Sequence, residues 1–330
     1  MRERPQGLLL LWLLVFVVGC GNRDPGSGKT VIAVVPKGTT HEFWKSIHAG
    51  AMKASREDSV EIIWKGPLKE DDREAQISVV EDLISRGVSG IVLAPLDDAA
   101  LRQPVANAAR SGIAVVVIDS DLKGSDFVSF VATDNYRGGR LAGEHMIQVL
   151  NGKGRIIMLR YQEGSASTTN REQGFLDAVS QAPGINVVSG NQYAGATTEA
   201  AYRASENLLA PLKGSGKTIT IDGIFTPNES STFGMLRALQ DGGFAGSVRF
   251  IGFDSSPKLV EALRDGHIQA LVVQNPFRMG YLGTKTMVAH LRGKAIEKRI
   301  DTGVMLITRT MMDNPDIRSL LQPDLTEWLH

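Results

Sequence analysis

Short apolar runs that alternate with helical patterns constrain this chain more than any other feature. From Thr30 onward the first strand candidates are Val31–Val35, Val60–Ile63, Gly90–Leu93, Ile113–Ile118 and Val128–Val131. A second set follows at Arg155–Leu159, Ile185–Val188, Gly223–Phe225, Val248–Gly252, Leu271–Val273 and Val304–Ile307. Most lack polar alternation, as expected of parallel strands covered on both faces. Between them, Phe43, Ile47, Ala51 and Ala54 recur at helical spacing, as do Val79, Val80, Leu83 and Ile84. Sustained over 330 residues, this alternation predicts an α/β fold with parallel sheets.

An internal echo divides the chain. Gly90-Ile-Val-Leu-Ala-Pro95 is matched by Gly223-Ile-Phe-Thr-Pro227, and the run ending Val117-Ile-Asp119-Ser120 by the run ending Gly252-Phe-Asp254-Ser255. The stretch around Gly50 echoes that around Gly174. Similar offsets in chain order point to two equivalent lobes, and the period is far too long for a solenoid. In open α/β sheets ligands bind outside the carboxyl ends of strands. Asp119 and Asp254 each follow an apolar strand, Asn228 follows the strand ending near Phe225, and the segment Pro36–Trp44 follows the first strand. If two lobes face each other, these groups converge on one cleft. Carboxylates accept, amides donate and accept, Arg donates in a fork, and aromatic faces suit C–H surfaces; together they fit a molecule dense in hydroxyls.

The N-terminus carries a different signal. Arg2 and Arg4 precede an unbroken apolar run from Leu8 to Val18 that ends in Gly19-Cys20. That run is well short of the roughly 20 residues of a membrane-spanning helix and has the layout of a signal peptide over residues 1–19. Val17-Val18-Gly19-Cys20 resembles the bacterial lipobox, which makes Cys20, the single cysteine, the expected lipidation site. Residues 20–29 then read as anchor and flexible linker. Lys+Arg and Asp+Glu both number 36. With no basic excess or patch, a nucleic-acid partner is not expected. One cysteine removes disulfide frameworks and Cys-based metal sites, and no metal or cofactor is expected. Gly-Ser-Gly-Lys-Thr occurs at 26–30 and 214–218, but the P-loop's first glycine is replaced by Arg23 and Pro211. His41-Glu42 opens like a zinc-protease motif, yet Lys45 stands where the second His belongs. No nucleophile elbow or dinucleotide loop appears, so an enzyme is not expected.

An ordered set of segments resembles the periplasmic sugar-binding proteins of the ribose-binding type, the solute receptors of ABC importers. They are His41-Glu-Phe-Trp44, Val117-Ile-Asp119, Ala132-Thr-Asp-Asn-Tyr-Arg-Gly-Gly139, Asn170-Arg-Glu-Gln-Gly-Phe175, Thr226-Pro-Asn228, Gly252-Phe-Asp254 and Gln274-Asn-Pro276. The resemblance implies two similar Rossmann-like lobes joined by a three-crossover hinge near Thr133, Gln274 and Asp301. The N-terminal lobe would hold residues 31–133 and 275–301, the C-terminal lobe 134–274 and 302–330. It implies a monomer that delivers a sugar or polyol to ABC permease subunits; with the lipobox-like Cys20, the expected place is the periplasm or the outer face of the cytoplasmic membrane, lipid-anchored. A receptor for a sensor kinase or chemoreceptor would use the same pocket. A sugar-responsive repressor would need an N-terminal DNA-binding unit where the export signal stands.

The resemblance also assigns the site. Phe43 and Trp44 would stack on the sugar, with Phe253 closing the apolar side, while Asp119, Arg171, Asn228, Asp254 and Gln274 would read hydroxyls. Four further positions depart from the family's ribose binders: Lys37 replaces Ser, His41 replaces Asn, Ser120 replaces Arg and Thr133 replaces Ser. The family's C-lobe Phe falls near Ala196, with Tyr193 as its expected substitute. These changes carry over the sugar class but not ribose itself, and Lys37 and His41 open the pocket edge to an acidic or modified sugar. The C-terminal segment Met311–His330, with Leu320, Leu321, Leu325 and Trp328 at helical spacing, is expected to pack along one lobe.

Overall fold

The branched apolar runs assemble into two separate sheets, and the chain passes between them three times. The computed structural model describes residues 29–215 and 218–329. The export segment and Cys20 lie outside the described residues, as do Gly216 and Lys217. The first sheet contains β1 (Val31–Val35), β2 (Glu61–Trp64), β3 (Gly90–Leu93), β4 (Ala114–Ile118) and β5 (Ser129–Ala132), all parallel, in the order β5-β4-β3-β1-β2. The second contains β6 (Lys153–Arg160), β7 (Gly184–Tyr193), β8 (Gly223–Phe225), β9 (Arg249–Phe253) and β10 (Ala270–Gln274), in the equivalent order β10-β9-β8-β6-β7. Each sheet gains a sixth strand late in the chain. β11 (Arg299–Asp301) joins β5 in parallel, and β12 (Val304–Thr308) joins β10 antiparallel.

Helices cover both faces. Around the first sheet lie α1 (Glu42–Asp58), α2 (Arg73–Ser85) and α3 (Arg102–Arg110); around the second, α4 (Asn135–Val149), α5 (Ala166–Val179), α6 (Thr198–Leu209), α7 (Glu229–Asp241) and α8 (Pro257–Asp265). α9 (Pro276–Leu291) returns to pack on α1, and α10 (Pro315–Leu321) ends the helical order. Alternate residues of a strand point to opposite faces. Ala33, Leu93 and Val117 accordingly meet Val80 and Val105 of α2 and α3, while Ile32, Val92 and Val116 meet Ile47 of α1 and Met287 of α9. The second sheet is sandwiched in the same way. Continuous apolar strands follow directly from this double coverage.

The three passages between lobes are short. The first runs through Thr133 and Asp134, the second through Asn275, the third through Thr302 and Gly303. Asp134 and Asn275 each cap the helix they enter, accepting from Arg137 N at 3.0 Å and Arg278 N at 2.9 Å. Thr133 Oγ1 lies 3.3 Å from Thr302 Oγ1 and donates to Gly303 O at 3.3 Å, which ties the first passage to the third.

The C-terminal segment differs from expectation. Its helix stops at Leu321, because Pro323 cannot continue it. Met312, Ile317 and Leu321 enter the core of the second lobe. Trp328 instead lies against the first-lobe elements, its ring 6.4 Å from Phe277 and under Lys53 and Arg56. The segment spans both lobes.

Candidate functional site

The carboxyl ends of both sheets face each other across a narrow cleft with about 320 Å³ of empty space. Lys37 follows β1, Asp119 follows β4, Tyr161 follows β6, Asn228 precedes α7, Asp254 follows β9 and Gln274 ends β10. The first turn of α1 adds Phe43 and Trp44, and α5 adds Ser167, Thr168 and Arg171. Phe43 and Trp44 both line the cleft in an edge-to-face pair with centroids 4.9 Å apart.

The two aspartates hold the same unusual backbone conformation. Asp119 has φ 62° and Asp254 φ 68°, the left-handed region that Asp tolerates better than most residues. This turns each carboxylate into the cleft and away from the N-cap of a following helix. Asp119 Oδ2 pairs with Lys37 Nζ at 2.8 Å. Asp254 accepts from Gln274 Nε2 at 2.6 Å and from Glu229 N at 3.0 Å, with Arg171 Nη1 3.9 Å away. Burial raises the Asp254 pKa against the lowering effect of Arg171.

Glu70, Tyr161 and Glu229 complete the walls, and the sequence reading did not single them out. Glu70 is buried and accepts from His41 Nδ1 and Trp44 Nε1, both at 2.6 Å, and from Tyr161 O–H at 2.5 Å. Burial alone would depress His41, but the charge and hydrogen bond of Glu70 outweigh it and lift the imidazole to about 9. Burial likewise pushes Glu70 up, and His41 with the other donors brings it down to about 2. Burial raises Glu229 to about 7, the effect of Asp254 adding to it against that of His41. The rule that pointed to Asp119, that ligands sit beyond strand carboxyl ends, would have reached Glu70 beyond β2 and Tyr161 beyond β6 had it been applied to every strand.

Three expected residues are not on the cleft wall. Ser120 is buried and accepts from Ser167 N at 3.0 Å, a contact between lobes. Thr133 is spent on the hinge. Phe253 points into the second lobe's core, where its ring supports the Arg171 guanidinium at 3.9 Å. Tyr193 is exposed beneath Arg160, and Ala196 is buried, so Tyr161 is the aromatic ring this lobe gives to the cleft.

The lobes are closed on each other. Lys37 Nζ reaches Ser167 Oγ at 3.1 Å and Ser165 Oγ at 3.4 Å, Phe43 N donates to Glu229 Oε2 at 3.2 Å, and Gln162 Nε2 donates to the Glu70 carbonyl at 2.9 Å. Lys37, His41 and Arg171 each face a carboxylate of this chain, so the cleft offers no spare cation among the described residues. Two buried polar atoms in the walls have no partner among the described residues: Arg171 Nη2, a donor, and Gln274 Oε1, an acceptor.

The chain is similar over most of its length to known proteins of one kind. The profile of the periplasmic binding protein domain family matches residues 32–295. A D-ribose/D-allose-binding protein of Pseudomonas aeruginosa is 31% identical over 301 residues, spanning 85% of this chain and 89% of that protein. A carbohydrate transporter solute-binding protein of Agrobacterium radiobacter, solved with D-arabinose, superposes with a TM-score of 0.84 at 33% identity, covering 90% of this chain and all of that one. The periplasmic component of an ABC-type sugar transport system from Hahella chejuensis gives a TM-score of 0.80 at 37% identity, covering 84% of this chain and 99% of that one.

Proposed function

The chain belongs to the periplasmic binding protein domain family, and from that premise we propose that it captures a sugar or polyol between its lobes and presents the closed form to an ABC permease. The observation that carries this reading is the pair of orphaned atoms beside Asp254. Arg171 Nη2 needs an acceptor and Gln274 Oε1 needs a donor. A hydroxyl is both, and a polyol supplies several at fixed spacing. Leaving such buried groups unmet costs about 1–3 kcal/mol each, so a ligand that pairs them gains selectively. Phe43 and Trp44 would take the C–H face, while Asp119, Asn228 and Asp254 would accept or share hydroxyl protons.

The charge balance narrows the ligand. The cations Lys37 and His41, which in the sequence alone open the pocket to an acidic sugar, are consumed by Asp119 and Glu70. An uncharged sugar fits this balance better than a sugar acid, whose carboxylate would bring a further negative charge into a cleft already lined by Glu70, Asp119, Glu229 and Asp254. Among the described residues, the one hydroxyl beside an amine in the cleft, Ser167 Oγ at 3.1 Å from Lys37 Nζ, faces a lysine already held by Asp119 at 2.8 Å, and binding without turnover is the function proposed. Lipidation of Cys20 would hold the protein at the membrane; Cys20→Ser should release it to the soluble fraction.

Thermal unfolding of the full chain against pentoses, hexoses, polyols and sugar acids tests the assignment. A ligand at a hundred times its Kd should add about 2.7 kcal/mol of stability. The shift should vanish in Asp254→Ala and Trp44→Ala. No shift with any member of the panel would refute the sugar reading.

A further inference from the structure

Beside the cleft lies a larger space with different chemistry. It holds about 650 Å³ against about 320 Å³ in the cleft, and Phe43, Asp254 and Gln274 are walls of both. Val273 at the end of β10, Pro257 of α8, and Leu320, Leu321 and Leu325 of the C-terminal segment give it an apolar side, while Glu42 and Ser46 of α1, Ser255, Ser256 and Gln322 are its other polar walls. The roof is secured at both ends. Ile317 and Leu321 are buried in the core of the second lobe, and Trp328 lies beneath Arg56, with the guanidinium carbon 4.9 Å from the ring centroid. This roof lies beyond residue 295, where the family match ends.

A free monosaccharide would meet its polar partners in the cleft and leave this annex to water, which gains little from its apolar side. We infer that the annex is a second subsite, taking an apolar substituent of the sugar whose hydroxyls occupy the cleft, so that the preferred ligand is an alkyl or aryl glycoside. The inference rests on the proposed sugar-binding function. Phe43, Asp254 and Gln274 line both spaces, so the two subsites adjoin at these three side chains.

Titration calorimetry on the full chain should compare D-ribose, D-allose and D-galactose with the butyl and phenyl glycosides of each, in both anomers. At least one anomer should bind ten times more tightly than its free sugar. Ser46→Phe, which fills the annex from α1, should remove that gain while keeping affinity for the free sugar. Leu325→Asp, which makes the roof polar, should do the same and serves if the first variant does not fold. Glycosides that bind no better than their free sugars, or a gain that survives both substitutions, would overturn the subsite. If neither free sugars nor glycosides bind, the sugar-binding function itself fails, and the subsite with it.

Discussion

Glu70 takes three donors, two from the start of α1 and one from the end of β6, and turns His41 into a charged partner, which links stability to pH in a specific way. His41 titrates near 6.5 when unfolded and about 9 when folded, so its contribution is complete below pH 6.5 and lost as pH rises through 9. Glu70 moves from 4.5 to about 2, so its contribution holds above pH 4.5 and is lost as pH falls through 2. Glu229, raised from 4.5 to about 7, keeps a proton that the unfolded chain has released; its contribution is present below pH 4.5 and is lost by about pH 7. Urea unfolding should therefore show stability declining from pH 5 to pH 9. His41→Asn should flatten the part above 6.5, and Glu229→Gln the part below 7; unchanged slopes in both would refute these assignments. At this scale the sequence was legible where an aspartate follows a strand. It was not where direction matters: Phe253 and Asp254 are neighbours, yet one faces the core and the other the cleft. Residue type and position cannot tell the two apart without the strand's orientation.

Helix pairs place these side chains, and glycines set how closely the helices approach. A Cβ on Gly50 of α1 would overlap the carbonyl oxygen of Phe277, and one on Gly280 of α9 that of Ile47. In the second lobe the same relation joins Gly174 of α5 to the Tyr136 carbonyl and Gly139 of α4 to that of Arg171. The echo between Gly50 and Gly174 in the sequence thus marks equivalent contacts of two helix pairs. Since the obstacle is backbone, alanine cannot be absorbed by a rotamer change. Gly50→Ala and Gly174→Ala should each cost about 1–3 kcal/mol by overpacking, measured by chemical denaturation. Gly174→Ala should also weaken sugar binding, because α5 carries Arg171; full affinity in that variant would uncouple the helix contact from the site. Most strands were legible because double coverage demands continuous apolar runs. β11 was missed because Arg299–Asp301 is short and largely exposed. The helical spacing from Leu320 to Trp328 misled because Pro323 interrupts it, a boundary the sequence itself displays.

Across the whole molecule, the residues that line the cleft also fasten its two sides. Lys37 spans to Ser165 and Ser167, the Phe43 amide to Glu229, the Ser167 amide to Ser120, and the Tyr161 hydroxyl to Glu70. Hinge closure of this kind is an equilibrium that a ligand can shift only through contacts favouring the closed form. Tyr161 is the most informative place to test it. Burial, together with the charge and hydrogen bond of Glu70, raises the phenol's pKa well above its ordinary value, so it remains a donor throughout the physiological range. Tyr161→Phe deletes one hydrogen bond between lobes and leaves Glu70 with two donors from its own lobe, His41 and Trp44, so no buried charge is stranded. A hydrogen bond to a charged group contributes about 1.5–3 kcal/mol, equivalent to roughly tenfold to a hundredfold in the closed-to-open ratio. Small-angle scattering without sugar should show a larger radius of gyration for Tyr161→Phe than for the native chain. Saturating sugar should restore the native value, at a Kd weakened by up to the same factor, since the ligand must first offset the lost closure. An unchanged radius and an unchanged Kd would mean that this hydroxyl closes nothing, and that the remaining contacts between the lobes suffice to hold them.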